Sequence, residues 1–281
     1  MSRIAVIGIV GRSVFLNVDR FHEGGETVEA SSVHFELGGK GFNQAVAAAR
    51  YGASVSFLCA VGEDCCRSVR EFTDSEGIHS VLVKKDGESA FASIVTDKNG
   101  SNHVTVYQGV QLEAEDVSAF EDCIADADIL LINNEVDEAV NVRAVEIAKA
   151  HGVRVVLNPA PARECCDYII ETVDLFTPNE HETLGLEEKD NVIMTVGKRG
   201  CIIKKDNINI PAVNAGTVVD TTGAGDTFNG VLSAALAGGA ELCEAAREAN
   251  IASSIGVTRK YAVSSIPTKK EIEEFLKCKR V

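Results

Sequence analysis

The sequence DTTGAGDTFNG occupies residues 220–230 and leads into a stretch whose apolar residues recur at helical spacing. These residues share one face of the predicted helix: Phe228, Val231, Leu232, Ala235 and Leu236. The turn at Gly223, Ala224 and Gly225 therefore stands at a helix N-terminus, where backbone N–H groups and the helix dipole attract an anion. Asp226, in the first helical turn, can accept a proton from a hydroxyl group. Such a turn is suited to the negative charge that develops on a transferring phosphoryl group.

The same residues allow a simpler interpretation. Asp220 or Asp226 would cap the helix, and the glycines would only turn the chain. The residues of this stretch alone do not favour one interpretation over the other, so the choice depends on the rest of the sequence.

Short apolar runs alternate with amphipathic stretches through most of the chain. The runs are Ile4–Val10, Val55–Val61, Ile129–Ile132, Val153–Leu157, Leu175–Phe176 and Val192–Val196. This alternation is typical of β-α-β units, in which helices connect parallel strands. The sequence therefore predicts an α/β fold with a central, mostly parallel sheet flanked by helices, in a single domain over residues 1–281.

Two stretches depart from this alternation and predict extra strands. Residues 27–37 end in an apolar–polar alternation at Val33, Phe35 and Leu37, with no helical pattern. Residues 91–97 and 102–107 flank an Asn-Gly turn and predict a β-hairpin. We expect strands from about residues 11–37 and 89–109 to form a small β-sheet lid over an active site. Their exposed edges would also suit a homodimer contact.

Composition excludes several classes of partner. The 281 residues carry a formal net charge of −15, which argues against binding to nucleic acid or to an anionic membrane. No apolar run reaches membrane-spanning length. The nine cysteines form no CxxC pair, which favours free thiols over a zinc site or disulfides. We expect a cytoplasmic protein that binds small molecules.

Six motifs along the chain carry a family resemblance. They are GGKGFNQA at 38–45, NPAPAR at 158–163, TPNEHE at 177–182, TVGKRG at 195–200, DTTGAGD at 220–226 and VTRK at 257–260. In this order they resemble the ribokinase (PfkB) family of carbohydrate kinases, over nearly the whole chain. The resemblance implies a ribokinase-like fold and transfer of a phosphoryl group from ATP, with Mg²⁺, to a hydroxyl of a small sugar.

The resemblance also implies roles for residues at the phosphate end. Asp226 would be the general base, with Gly223, Ala224 and Gly225 as the anion hole. The implied nucleotide contacts are Asn179, Thr195, Gly197, Gly200, Gly225 and Asn250. Asn179 and Glu182 would hold Mg²⁺ through water. Without the family, Glu182 would be interpreted as part of a solvated first helical turn, and Asn250 as an amide on a helix surface.

Family members often use a monovalent cation such as K⁺ beside the anion hole. The matching positions are Asp220, Thr222, Gly256, Arg259, Tyr261 and Ser265. Tyr261 stands where ribokinases have glycine, so the sequence departs from the family in this loop.

At the acceptor end, four residues match positions that contact the sugar in the family: Gly39, Lys40, Asn43 and Glu135. A glycine before a helix allows close approach of the backbone to a ligand, and an asparagine side chain can donate to and accept from hydroxyl groups. The simpler interpretation of Lys40 and Asn43 is helix capping and surface charge.

The main departure lies after the first strand. Ribokinases place Asn-x-Asp where this chain has Gly11 and Ser13, and the sequence Asn-Val-Asp occurs only at residues 17–19. A serine hydroxyl cannot make the bidentate contact of a carboxylate, which costs about 1.5–3 kcal/mol for a ribose-like ligand. Arg12, between these positions, would face the opposite side of an extended strand. If the strand ended at Val10, Arg12 could instead reach an anionic acceptor.

Three functions follow from these observations. The leading one is an ATP-dependent kinase of a ribose-like or related sugar. The second keeps the chemistry and changes the acceptor to a nucleoside or a phosphosugar, because the sugar-gripping residues are missing. The third is a non-catalytic sugar or nucleotide sensor on a kinase fold.

Overall fold

The computed structural model describes residues 2–279, with side chains as far as residue 278. Its strands are β1 (Arg3–Ile7), β2 (Gly11–Val18), β3 (Ala30–Gly38), β4 (Ser54–Val61), β5 (His79–Lys84), β6 (Ala90–Thr96), β7 (Asn102–Tyr107), β8 (Ile129–Asn133), β9 (Arg154–Asn158), β10 (Leu175–Phe176), β11 (Ile193–Thr195), β12 (Cys201–Ile203) and β13 (Ile208–Ile210). Its α-helices are α1 (Lys40–Tyr51), α2 (Glu63–Ser75), α3 (Glu121–Ala125), α4 (Glu138–Ala150), α5 (Asp167–Thr172), α6 (Ala224–Ala237), α7 (Leu242–Gly256) and α8 (Lys269–Lys279). Short 3₁₀ helices cover Ala114–Phe120, Gly197–Arg199 and Val263–Ser265.

A six-stranded parallel sheet forms the centre of the fold, in the order β10-β9-β8-β1-β4-β5. Strand β8 is buried along its whole length, as expected for a parallel sheet covered on both faces. Helices α1, α6 and α7 pack on one face, around Phe42, Phe57 and Phe228. Helix α4 and the 3₁₀ helix Ala114–Phe120 cover the other face. The predicted α/β fold with its parallel sheet is confirmed.

Four strands outside the main sheet form a separate small sheet in the order β3-β2-β6-β7. Strands β2 and β3 are antiparallel, β2 and β6 are parallel, and β6 and β7 form an antiparallel hairpin. The first of these antiparallel pairs brings Ser13 opposite Glu36 and Phe15 opposite His34. A third sheet, β11-β12-β13, is antiparallel. Within residues 2–279, no helix is both long enough and apolar enough to cross a lipid bilayer.

Close packing of α1 against β1 and α6 brings the ends of these elements together. A Cβ atom added to Gly8, after β1, would lie 2.6 Å from the Cα of Gly41 in α1. A Cβ on Gly230 in α6 would overlap the carbonyl oxygen of Gln44. The start of α1 and the start of α6 therefore lie beside the carboxyl ends of the central strands, where open α/β sheets bind ligands.

Replacing Gly230 with alanine is expected to destabilise the fold by about 1–3 kcal/mol, because the backbone of α1 cannot move away from the new methyl group without disturbing the core. Urea denaturation measures this change in the free energy of unfolding. Gly24→Ala is the matched control, since a Cβ there meets no atom within 4 Å. Equal midpoints for the two variants would contradict the close helix contact.

Candidate active site

The glycine-rich turn before α6, which was predicted to be the anion hole, forms an open cradle. Gly223 precedes the helix with φ +74°, a left-handed conformation that favours glycine. The Ala224 N–H donates to the Thr221 carbonyl and the Thr227 N–H donates to the Gly223 carbonyl. The N–H groups of Gly225 and Asp226 lie between these two, in the first turn, where no helical partner precedes them. A Cβ on Gly225 would meet no atom within 4 Å, so space for a ligand adjoins the helix N-terminus.

Asp226 is buried beside this cradle, and two side-chain amides of α1 hold its carboxylate. Its Oδ2 accepts from Asn43 Nδ2 at 2.8 Å, and its Oδ1 accepts from Gln44 Nε2 at 3.3 Å. Gln44 Nε2 also donates to Asn158 Oδ1 at 3.1 Å, at the end of β9. The Asp226 carboxylate thus accepts hydrogen bonds from side-chain amides and does not cap the N-terminus of α6. The interpretation of this residue as a simple helix cap is therefore wrong.

Lys40 and Glu135 form the charged part of the predicted acceptor end. The Lys40 N–H donates to Glu135 Oε2 at 2.7 Å, and the Glu135 N–H donates to Asn133 Oδ1 at 2.9 Å. Burial raises the pKa of Glu135 to about 7, with a further increase from the negative charge of Asp226. The same Asp226 charge raises the pKa of Lys40, against the effect of burial. The negative charge of Asp226 therefore acts on both Lys40 and Glu135.

Gly39 joins the small sheet to α1 with φ +132°, and a Cβ there would overlap the carbonyl oxygen of Ile9. Gly11 is equally restricted, because a Cβ at this position would overlap the carbonyl oxygen of Ala90. Ser13 is buried, and its Oγ lies 2.6 Å from the position of a Cβ on Gly38. The part of β2 that was predicted to line the acceptor is therefore built from small residues in tight contact.

Arg12 lies on the opposite face of β2 from Ser13. Arg12 is the second residue of strand β2, so it lies in an extended strand and not in a turn that could direct it into the pocket. The Arg12 guanidinium donates to the Asp64 carbonyl oxygen and lies 3.9 Å from the Asp64 carboxylate. Arg12 thus ties the small sheet to the start of α2, and the hypothesis that it meets an anionic acceptor lacks structural support.

Asn179 and Glu182 face each other in a tight turn. Asn179 donates to the Glu182 carboxylate through its backbone N–H at 3.0 Å and through Nδ2 at 2.7 Å. Residues 177–186 contain no helix, so the simpler interpretation of Glu182 as part of a first helical turn is wrong. Asn179 forms an isolated parallel β-bridge with Thr195. The bridge places the Asn179–Glu182 pair next to the segment predicted to line the nucleotide.

Glycines shape the predicted nucleotide segment. Gly197 and Gly200 have φ values of +54° and +96°, and a Cβ on Gly200 would overlap the carbonyl oxygen of Ile210. Asn250, on α7, is buried rather than on a helix surface, so the simpler interpretation of this residue is wrong. Its Nδ2 donates to the Ile210 carbonyl at 3.0 Å, which fixes α7 to β13.

The predicted cation loop is assembled around the Asp220 carboxylate. Its Oδ1 accepts from the Thr222 N–H at 2.9 Å and from Thr222 Oγ1 at 2.7 Å, and its Oδ2 accepts from the Tyr261 N–H at 2.9 Å. Tyr261 has φ +73°, the conformation that glycine adopts most easily. Gly256 and Ser265 approach each other, and the Gly256 carbonyl accepts from the Arg259 N–H at 2.9 Å. These groups supply the oxygen atoms that a hard cation prefers.

Comparison with known proteins places this arrangement in a family. The sequence model of the family described as pfkB family carbohydrate kinase matches residues 1–269. The chain belongs to the pfkB family of carbohydrate kinases. A ribokinase of Haemophilus influenzae is 34% identical over 299 residues, which cover 97% of this chain and 98% of that protein.

Two further comparisons agree with this membership. The bifunctional ribokinase/ribose-5-phosphate isomerase A of Fructilactobacillus sanfranciscensis is 36% identical over 301 residues, and the match covers 97% of this chain and 56% of that longer protein. The solved ribokinase of Thermotoga maritima is 30% identical with a TM-score of 0.87, and the match covers 99% of this chain and all of that one (100%). The predicted ribokinase-like fold and the class of ATP-dependent carbohydrate kinase are confirmed.

Two residues of this carbohydrate kinase contact the site region without having been predicted. Gln44 donates a hydrogen bond to the Asp226 carboxylate. Its place directly after Asn43 in the first family motif was the sequence feature that could have predicted this contact. Glu36 contacts the loop that contains Tyr261, and its position opposite Ser13 depends on strand register, which the sequence does not show.

The stability of this kinase should depend on pH through Glu135. The pKa of Glu135 is raised in the folded state from 4.5 to about 7, so the folded protein binds this proton more tightly than the unfolded chain does. The free energy of unfolding should therefore fall as pH rises from about 4.5 to about 7. We expect a fall of about 1–2 kcal/mol, less than the full pKa shift would give, because the Glu135 side chain is partly exposed and solvent screens its charge. Glu135→Gln should flatten the dependence in urea titrations, whereas the exposed Glu188→Gln should not. A slope unchanged by Glu135→Gln would contradict the assignment.

Proposed function

We propose that the chain transfers the γ-phosphoryl group of MgATP to a hydroxyl of a small, ribose-like or related carbohydrate, with Asp226 as general base. One observation carries this proposal: the buried Asp226 carboxylate, oriented by Asn43 and Gln44, lies at the N-terminus of α6 beside the glycine cradle. A carboxylate and an anion site in this arrangement suit proton removal from a hydroxyl as a phosphoryl group arrives.

The residues of the cradle supply the electrostatic part of the reaction. Asp226 accepts the proton of the acceptor hydroxyl. The N–H groups of Gly225 and Asp226, with the dipole of α6, stabilise the charge on the transferring group, while Gly223 and Ala224 shape the turn. The small sheet acts as a lid that excludes water and limits wasteful hydrolysis of ATP.

Asn179 and Glu182 are proposed to hold Mg²⁺ through water molecules. Mg²⁺ typically keeps several waters and binds proteins through one or two carboxylates together with substrate phosphates, which fits a single carboxylate paired with an amide. When bound, the ion neutralises phosphate charge. Thr195, Gly197 and Gly200 line the nucleotide, and Asn250 positions the strand beside the adenine.

A monovalent cation such as K⁺ is proposed in the loop around Asp220, where the oxygen atoms of Thr222, Gly256, Arg259, Tyr261 and Ser265 would complete its shell. The left-handed conformation of Tyr261 supports this site, because the loop keeps the backbone shape that glycine would have. We expect turnover and melting temperature both to rise when K⁺ replaces tetramethylammonium at constant ionic strength. No difference in either quantity would count against the site.

At the acceptor end, Gly39, Lys40, Asn43 and Glu135 are proposed to bind the sugar. Asn43 Oδ1 is buried without a hydrogen-bond partner among the described residues, and an acceptor hydroxyl is a donor that would satisfy it. Gly11 and Ser13 leave the β2 side of the pocket without the carboxylate that grips ribose in the family. This absence favours a nucleoside as the alternative acceptor, with the same chemistry at Asp226.

A homodimer through the small sheet is a further part of this proposal. The sheet exposes large apolar side chains on strands β3, β6 and β7: Val33, Phe35, Phe91, Val104, Val106 and Tyr107. Apolar side chains grouped on one small sheet are typical of an interaction surface. Light scattering should give the mass of a dimer, and Phe35→Asp should give a monomer. A monomeric wild-type protein at micromolar concentration would contradict this assembly.

The function is tested by ADP formation from MgATP with a panel of pentoses, hexoses, phosphosugars and nucleosides. We expect one class of acceptor, a free sugar, to raise ADP formation well above the rate without acceptor. Stimulation only by nucleosides would establish the alternative. Nucleotide binding without stimulation by any acceptor would contradict the kinase proposal and favour a sensor.

A further inference from the structure

Glu36, on β3 of the small sheet, reaches the loop that follows α7. Its carboxylate accepts from the backbone N–H groups of Ala262 at 2.8 Å, Val263 at 3.2 Å and Ser264 at 3.1 Å. The Ser264 hydroxyl donates to the same carboxylate at 2.8 Å. The Glu36 side chain is only 8% exposed. A carboxylate this deeply buried is stable only with such donors, so the sheet and the loop depend on each other for these contacts.

An aromatic contact joins the same loop to the same face of the small sheet. The Tyr261 ring stacks on His34, with centroids 3.7 Å apart and planes 9° from parallel. Its edge packs against Phe15 at 5.1 Å. His34 lies opposite Phe15 in the β2–β3 pair, and Glu36 lies opposite Ser13. Residues two apart on a strand point to the same side, so all four side chains share one face of the sheet. The loop is thus held by a charged contact and an aromatic contact together.

The other side of this loop contacts the anion cradle. The Tyr261 N–H donates to the Asp220 carboxylate, which in turn accepts from Thr222, the residue before Gly223. The Cα of Ala262 lies 3.2 Å from the position of a Cβ on Gly223. A displacement of residues 261–264 would therefore move the turn that presents the Gly225 and Asp226 N–H groups.

We infer that Glu36 is a positioning residue that couples the small sheet to the anion cradle through residues 261–264. With the sheet in place, Glu36 fixes the loop, the loop fixes Asp220, and Asp220 fixes the turn at Thr222 and Gly223. The inference rests on the proposed kinase function for its consequence in catalysis. It assigns the small sheet a second task besides covering the acceptor, namely to complete the geometry of the phosphoryl-transfer site.

Steady-state kinetics of Glu36→Ala test the coupling. We expect kcat to fall by about 10- to 100-fold, because a misplaced cradle loses stabilisation of the transition state. The KM for ATP should stay within about twofold, because Thr195, Gly197 and Gly200, which are proposed to line the rest of the nucleotide, lie outside the displaced turn. Glu36→Gln keeps one oxygen that can accept from Ala262 and Val263 and should recover part of the loss. Glu29→Ala, an exposed change next to β3, is the matched control. A kcat for Glu36→Ala equal to that of Glu29→Ala would overturn the inference.

Hydrogen–deuterium exchange provides a readout that does not need turnover. In Glu36→Ala, peptides covering residues 259–266 and residues 220–227 should both exchange faster than in the wild-type protein. An increase confined to residues 259–266 would show a merely local contact and overturn the coupling. The exchange experiment tests the coupling even if no acceptor of the panel stimulates ADP formation. Absence of stimulation by every acceptor would contradict the kinase proposal and leave the coupling to be decided by exchange.

Discussion

Replacing Asp226 with asparagine should lower kcat by about 10²- to 10⁴-fold, the usual contribution of a general base. An asparagine has nearly the same shape as the aspartate but cannot remove the proton of an acceptor hydroxyl. Its amide also has fewer oxygen lone pairs to receive the Asn43 and Gln44 donors. Affinity for ATP should change little, since the carboxylate faces the acceptor hydroxyl in the proposed mechanism. Steady-state kinetics and nucleotide titration together measure these two effects.

The control for this substitution is Asp206→Asn, which removes the same charge at an exposed position. Circular dichroism should show that both variants are folded at the assay temperature. An Asp226→Asn enzyme that keeps more than about a tenth of the wild-type kcat would remove Asp226 from the role of base.

Replacing Gly225 with valine should lower kcat/KM for ATP by about 10²- to 10³-fold, a loss as large as that of an oxyanion-type donor, because the side chain keeps the phosphoryl group away from the N–H groups of the turn. A side chain at this position enters the open space at the start of α6, where the transferring phosphoryl group is proposed to lie. Gly225 does not have a positive φ, so the backbone accepts a side chain without strain. Gly225→Ala should give a smaller loss than Gly225→Val.

Thermal melts separate this effect from a defect in folding. Because a Cβ at Gly225 meets none of the surrounding protein atoms within 4 Å, the melting temperatures of both variants should stay close to that of the wild type. Full activity in Gly225→Val would show that the phosphoryl group does not occupy this space.

Much of the fold could be predicted because local pattern and burial agree in its centre. The run Ile129–Ile132 becomes β8, which is buried on both faces, so a continuous apolar run indicated the parallel sheet directly. The Gly-Ala-Gly turn likewise stood before an obvious amphipathic helix, and α6 begins at Ala224.

Tertiary contacts explain why the simpler interpretations of two residues are wrong. Glu182 has the composition of a helical first turn, but its carboxylate binds the backbone and side chain of Asn179 and closes a turn instead. Asn250 lies on an amphipathic helix, yet α7 packs against β13, and the amide satisfies a strand carbonyl there.

Strand register decided the contact that no sequence pattern revealed. Glu36 reads as an ordinary polar position in an alternating strand. Its function in the fold depends on the pairing of β3 with β2, which directs the carboxylate toward residues 262–264, more than 200 positions later in the chain. Contacts of this separation leave no periodic signal in a single sequence.

Single-turnover transfer of the labelled γ-phosphoryl group of ATP to the best acceptor of the panel tests the kinase proposal and the role of Asp226 together. We expect the label to appear in the acceptor as a phosphate ester in the wild-type protein and to stay in ATP in Asp226→Asn. Label that appears only as inorganic phosphate, or transfer that Asp226→Asn leaves unchanged, would contradict a kinase that uses Asp226 as its base.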